Sequence, residues 1–109
     1  DFILVTKKGS GKYTRRTATY SFRDAGDAWH HVAGTYNKTN GEQKLYVDGL
    51  LVNTKYHPHG NTIVPLTYYP DMRIGYSRID NTYFKGTIDD VRLYNRALSE
   101  EEVQDLYSH

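Results

Sequence analysis

The chain has 109 residues, 38% of them hydrophobic and 25% charged, with a net charge of +1. That length holds one domain at most, and the modest apolar share limits the core that so small a chain can bury. The absence of Cys excludes disulfides and thiolate metal centres, and no apolar run reaches membrane-spanning length.

Phe2-Ile3-Leu4-Val5 is apolar on both faces, which predicts a covered strand. Lys8-Gly9-Ser10-Gly11-Lys12 predicts a turn. It lacks the glycine spacing and following helix of a phosphate-binding loop. Over 17–22, Ala18, Tyr20 and Phe22 alternate with Thr17, Thr19 and Ser21, the period of a half-buried strand. Asp24-Ala25-Gly26-Asp27 is the next turn. Residues 29–36 are aromatic and branched and predict a strand, with Trp29 and Val32 read as packing residues. Asn37-Lys38-Thr39-Asn40-Gly41 predicts a surface turn, and its first three residues form a glycosylation sequon if the chain is secreted by a eukaryote.

Asp48-Gly49 is the strongest hairpin signal, a two-residue turn whose twist matches the flanking strands. It predicts pairing of Val47 with Leu50 and of Leu45 with Val52, all four on one face. Residues 57–71 show no period and are punctuated by Pro58, Gly60, Pro65 and Pro70, so they predict a long loop with at most one short strand. Residues 72–76 predict a strand, and 83–94 another with a change of phase. Phe84, Gly86 and Ile88 have one parity and Val91 and Leu93 the other, so a β-bulge at Asp89-Asp90 would hold all five on the core side. Ser99-Glu100-Glu101-Glu102 is a capping box. Val103, Leu106 and Tyr107 follow as one apolar stripe of a short helix, which must dock on the body of the fold to persist.

Charge is unevenly placed. Lys7, Lys8, Lys12, Arg15, Arg16 and Arg23 precede Asp24 with no intervening acid after Asp1, while the C-terminal end is acidic. Charge runs are ordinarily solvated, and lysines on a strand edge discourage sheet-to-sheet pairing; an anion-binding patch is the alternative. A pI of about 8.1 and the lack of any nucleic-acid motif argue against nucleic-acid binding. His30 and His31 are strand neighbours that point oppositely and so do not share an ion. His57 and His59 converge better but have no third ligand, and read as loop residues.

The stretch Phe84-Lys85-Gly86-Thr87-Ile88-Asp89-Asp90-Val91-Arg92-Leu93-Tyr94, with its closing helix, resembles the laminin-G-like, concanavalin A-like lectin family. Trp29-His30-His31-Val32 and Leu45-Tyr46-Val47-Asp48-Gly49 strengthen that resemblance. It covers 29–106 well and 2–28 loosely. It implies an all-β fold, an antiparallel jelly-roll sandwich with a short C-terminal α-helix. Members of the family carry several more strands ahead of the point where this sequence begins. The resemblance therefore implies the C-terminal part of a domain, with a preceding segment or another chain completing the sandwich.

The function the resemblance implies is non-catalytic recognition of carbohydrate or glycoprotein, within an extracellular or cell-surface protein. A structural or adhesive spacer and an accessory segment of a glycoside hydrolase are the alternatives. The enzymes of this fold carry a Glu-x-Asp-x-x-Glu type pattern, which is not found here. Tyr56, Tyr68, Tyr69 and Tyr76 are the candidate sugar-stacking residues, because a Tyr ring offers an apolar face and a hydroxyl together. Many relatives bind Ca²⁺ at a sandwich edge, so the resemblance makes Asp89 a candidate calcium ligand, as one part of a larger oxygen set.

Overall fold

The computed structural model describes residues 1–9, 11–22, 28–64, 72–77 and 81–109. Their element order is β1 (Phe2–Lys7), β2 (Tyr13–Ala18), β3 (Val32–Asn37), β4 (Glu42–Val47), β5 (Leu50–Tyr56), β6 (Thr62–Ile63), β7 (Tyr76–Ser77), β8 (Thr82–Tyr83) and α1 (Glu100–Ser108). β2, β1 and β6 form one antiparallel sheet, β3, β4 and β5 a second, and β7 and β8 a hairpin of their own. The fold is therefore the mostly-β antiparallel sandwich with one short C-terminal helix that the sequence predicts.

β1 is a central strand. β2 pairs along its whole length and β6 takes its other edge at Thr6 and Lys7. The second strand, however, lies at Tyr13–Ala18 and not at 17–22. The turn is tight enough, with Gly11 N–H donating to the Lys8 carbonyl at 2.7 Å, for pairing to resume at once with Lys7 opposite Tyr13. Of the alternating trio, Ala18 is buried, while Tyr20 and Phe22 lie beyond the ladder and pack edge to face.

The hairpin at Asp48-Gly49 forms as predicted, with positive φ at both central residues (52° and 78°). Val47 pairs with Leu50, but Leu45 pairs with Asn53 and not with Val52. The register slips between Leu45 and Tyr46, so β5 carries the extra residue. The gain is polar: the Asn53 amide donates to the Thr19 carbonyl at 2.9 Å and ties β5 to the chain leaving β2. Leu45, Tyr46 and Val47 are buried, whereas Leu50 is exposed. Asp48 also holds the start of β3. Its carboxylate accepts the His31 N–H at 2.9 Å and contacts the His30 Nδ1 at 2.7 Å, while its own N–H donates to the His31 carbonyl. The His30 bond pulls the Asp48 carboxyl below its ordinary value. Trp29 precedes this ladder and is exposed, as is Val32, so neither packs in the core as expected.

The two sheets are joined by a buried polar network. Gln43, on β4, is fully buried and its amide nitrogen donates to the carbonyls of Phe2 and Arg16 in the opposite sheet, at 2.8 and 3.3 Å. Two donated bonds fix the amide's orientation, leaving Oε1 to accept from His57 Nε2 at 2.6 Å. His57 Nδ1 is then the unprotonated nitrogen and accepts from the Thr6 hydroxyl at 2.8 Å. His57 is thus a core residue, only 3% exposed, and not a loop histidine. Its backbone is clamped too: its N–H donates to the Gly41 carbonyl at 2.8 Å. Gly41 has φ of 74°, and a Cβ there would collide with the His57 carbonyl oxygen.

Residues 84–99 form no strand. The predicted strand over 83–94 is reduced to Thr82–Tyr83, and that over 72–76 to Tyr76–Ser77. The phase change at Asp89-Asp90 corresponds to a residue in the left-handed region, Asp90 at φ 53°, and not to a bulge in a ladder. Ile88, Val91 and Leu93 are 46%, 60% and 80% exposed, so they are not core residues here. Apolar alternation supplies one face of a strand, but the ladder also needs a partner backbone, and none pairs with 84–94 among the described residues.

α1 has the complete capping box: the Ser99 hydroxyl accepts the Glu102 N–H, and the Glu102 carboxylate accepts the Ser99 N–H. Arg96 grips the same carboxylate through both guanidinium nitrogens. Together, with Arg96 first, they push the Glu102 pKa down to about 2. The helix docks through Val103, which is fully buried, while Leu106 is only half-buried. Its last turn lies against the hairpin: the Tyr107 ring and Gln104 approach Gly49, and Tyr107 sits 6.1 Å from the His31 ring.

His57→Ala strands the Gln43 and Thr6 partners in the core and should cost about 3 kcal/mol, read from denaturant melts. Burial, and secondarily Arg16, hold the His57 pKa below its ordinary 6.5. The fold therefore keeps His57 neutral where the unfolded chain takes up a proton. Stability is full above pH 6.5 and is lost as pH falls from there toward the folded pKa. His57→Ala should remove that pH limb, and a wild-type midpoint that is flat across the window would contradict the assignment. In the helix, Ser99→Ala should cost about 1 kcal/mol. Val103→Ala should cost about 2 kcal/mol, and equal, negligible losses would mean the helix is not docked.

Candidate functional site

The β7–β8 hairpin presents a pair of tyrosine rings. Tyr76 pairs with Tyr83 across the ladder, which places both rings on one face. Their centroids are 4.6 Å apart with planes tilted by 31°. Tyr83 is 71% exposed and Tyr76 half-buried. The Tyr76 hydroxyl donates to the Asn81 amide oxygen at 2.8 Å, which fixes the inner ring. The Arg73 guanidinium lies 5.6 Å from the Tyr76 centroid. The Phe84 N–H donates to the Gly75 carbonyl and closes the base of the hairpin. The result is a two-ring platform braced from beneath, with its outer ring in solvent. Such a surface can stack an apolar sugar face, with the outer ring's hydroxyl at the rim.

Of the sequence candidates, Tyr76 belongs to this platform. Tyr56 is exposed at the end of β5, and no ring contact joins it to Tyr76. Tyr68 and Tyr69 lie outside the described residues. Tyr83 was not among the candidates. Its signal was the hairpin register, which a sequence reading of 83–94 as one continuous core strand conceals.

Asp89 is exposed, and one of its carboxylate oxygens accepts the Asp90 N–H at 2.8 Å. The adjacent Asp90 carboxylate is held by Arg92 at 3.0 and 3.3 Å. Ca²⁺ takes six to eight oxygen ligands. Among the described residues no group of three or more His, Asp or Glu could hold a metal ion. The described surroundings of Asp89 therefore do not fit calcium, and no part of the function below runs through one.

Two antiparallel sheets joined by a buried polar network, with aromatic rings presented beside them, define a mostly-β sandwich. The chain belongs to the concanavalin A-like lectin/glucanase superfamily, whose laminin-G type model matches residues 2–104. Among solved structures it is similar to an S-layer domain-containing protein from Clostridium thermocellum, at 27% identity and a TM-score of 0.58. That match covers 94% of this chain and 49% of the other, so the chain spans about half the length of the structure it matches. No curated protein matches the chain.

Proposed function

We propose that this chain is a non-catalytic recognition module that binds carbohydrate or glycoprotein as part of a larger extracellular or cell-surface protein. The observation that carries the reading is the braced, exposed Tyr76–Tyr83 platform. Membership of a lectin-type superfamily supports it, and so does likeness to a domain of an S-layer protein, for the surface location. No helix among the described residues is long and apolar enough to cross a membrane.

The state of two carboxyls among the described residues supports binding over hydrolysis. Glycoside hydrolysis by a carboxylate pair needs one acid held protonated near neutral pH. Here Glu102 is pushed down to about 2 and Asp48 is lowered, each by its hydrogen-bond partners. Asp90 is engaged by Arg92, and Glu42 by Lys44 at 3.1 Å. A structural or adhesive role is the second reading. It is favoured by the exposed apolar side chains Phe84, Ile88, Val91 and Leu93, which exceed what an isolated glycan site needs.

A glycan array followed by calorimetry tests the first reading. Tyr83→Ala should weaken binding to the best neutral glycan about tenfold. The melting temperature should hold, since the ring is mostly in solvent. Tyr56→Ala should leave affinity unchanged. Full affinity in Tyr83→Ala would remove the platform from the binding site, and an array with no neutral glycan bound would favour the structural role.

A further inference from the structure

A second surface lies on the β1–β2 hairpin and shares no residue with the tyrosine platform. β2 is the outer strand of its sheet. Where its edge meets the 58–61 turn there is a groove of about 540 Å³, whose lining includes Lys8, Lys12, Arg15, Arg16 and Asn61. The four cations fall within nine residues, and all four are exposed. None makes an ion pair with an acid among the described residues; Arg16 donates to the Arg15 carbonyl. Lys38, Lys55 and Lys85 also lack an ion pair there, but they stand singly, on the β3–β4 turn, on β5 and after β8. The same chain carries a surface of opposite charge. On α1, Glu101 and Asp105 are exposed and lie four residues apart, so they share one face about a turn apart. Glu100, also exposed, adjoins Glu101. None of the three acids makes an ion pair among the described residues, and α1 contains no Lys or Arg to offset them.

These two surfaces do not meet within one chain. The groove is built on the first sheet, while α1 lies against the hairpin of the second, and no ion pair joins them among the described residues. We infer that the basic groove of one copy receives the acidic face of α1 of a second copy. Charge complementarity selects that occupant, since each surface repels its own kind and attracts the other. Groove and helix are different patches, so the contact is head-to-tail and not two-fold. A pair formed this way still has one free groove and one free helix face. Association therefore propagates into an open chain or closes into a ring. Exposed ion pairs are individually weak and screened by salt, so the assembly is reversible and is favoured by high concentration and low salt.

Light scattering on the 109-residue chain tests this, at concentrations up to about 1 mM. Salt is set at about 0.01 M and about 1 M, where charges are felt over about 30 Å and about 3 Å. The mean mass should rise with concentration at low salt and return to that of the monomer at high salt. Lys12→Gln/Arg15→Gln and Glu101→Gln/Asp105→Asn should each weaken self-association about tenfold, with folding checked by thermal melts. Mixed together, these two variants should stop at one-to-one pairs, because one keeps the helix face and the other keeps the groove. A chain carrying Lys12→Glu, Arg15→Glu, Glu101→Lys and Asp105→Lys together exchanges the two charges and should associate again. Lys55→Gln/Lys85→Gln removes the same charge from other elements and should change nothing. Tyr83→Ala should leave association intact, so this inference and the neutral-glycan reading fail separately. A chain that stays monomeric at both salts would give the groove some other occupant and overturn the inference. Growth of the mixture beyond pairs, or equal losses in Lys55→Gln/Lys85→Gln and Lys12→Gln/Arg15→Gln, would overturn it too.

Discussion

One imidazole joins the two halves of this sandwich. His57 receives the Thr6 hydroxyl from the first sheet and donates to Gln43 of the second, while Gln43 reaches back to two carbonyls of the first. Each of these groups is buried and each bond satisfies a partner that would otherwise be stranded in a low-dielectric interior. A chain with few large aliphatic residues gains inter-sheet specificity from such a network, because hydrogen bonds fix register and tilt where apolar contacts tolerate sliding. The Gly41 backbone completes the constraint, since no other residue allows the β3–β4 turn to close on His57.

The candidate surfaces are set out from this centre. The β5–β6 connection, which begins at His57, also supplies Asn61 to the basic groove. The Asn61 carbonyl in turn accepts the Tyr36 hydroxyl at 2.7 Å, so the groove wall is braced on β3. The tyrosine platform, in contrast, belongs to a small hairpin with its own ladder and its own closing bond. One surface is therefore coupled to the core and the other rests beside it.

The exposed segment after Tyr83 shows how a correct pattern reading and an exposed structure coexist. Phe84, Ile88, Val91 and Leu93 have the apolar content of a buried strand. In the described structure they face solvent, and Asp90 between them takes a left-handed conformation and pairs locally with Arg92. Periodicity reports which face of a segment is apolar; it does not report whether a neighbour covers that face.

Local signals alone determined the strand at β1, the primed hairpin at Asp48-Gly49 and the capped helix, while the class of sandwich came from the family resemblance. Each local signal is written in a few consecutive residues, through alternation, a two-residue turn or a box of side-chain oxygens. Tertiary structure alone decided the rest. His57 looked like a loop residue because its partners, Thr6 and Gln43, are 51 and 14 positions away. The register slip opposite Leu45 accompanies the bond from Asn53 to the Thr19 carbonyl in the chain leaving β2. Tyr83 became half of a platform only through its pairing with Tyr76, and the charges of the first hairpin became a groove only where the 58–61 turn folds against them. The physical reason is common to all four. A hydrogen bond or a cleft between distant segments depends on where the chain returns, and a short window of sequence holds no record of that.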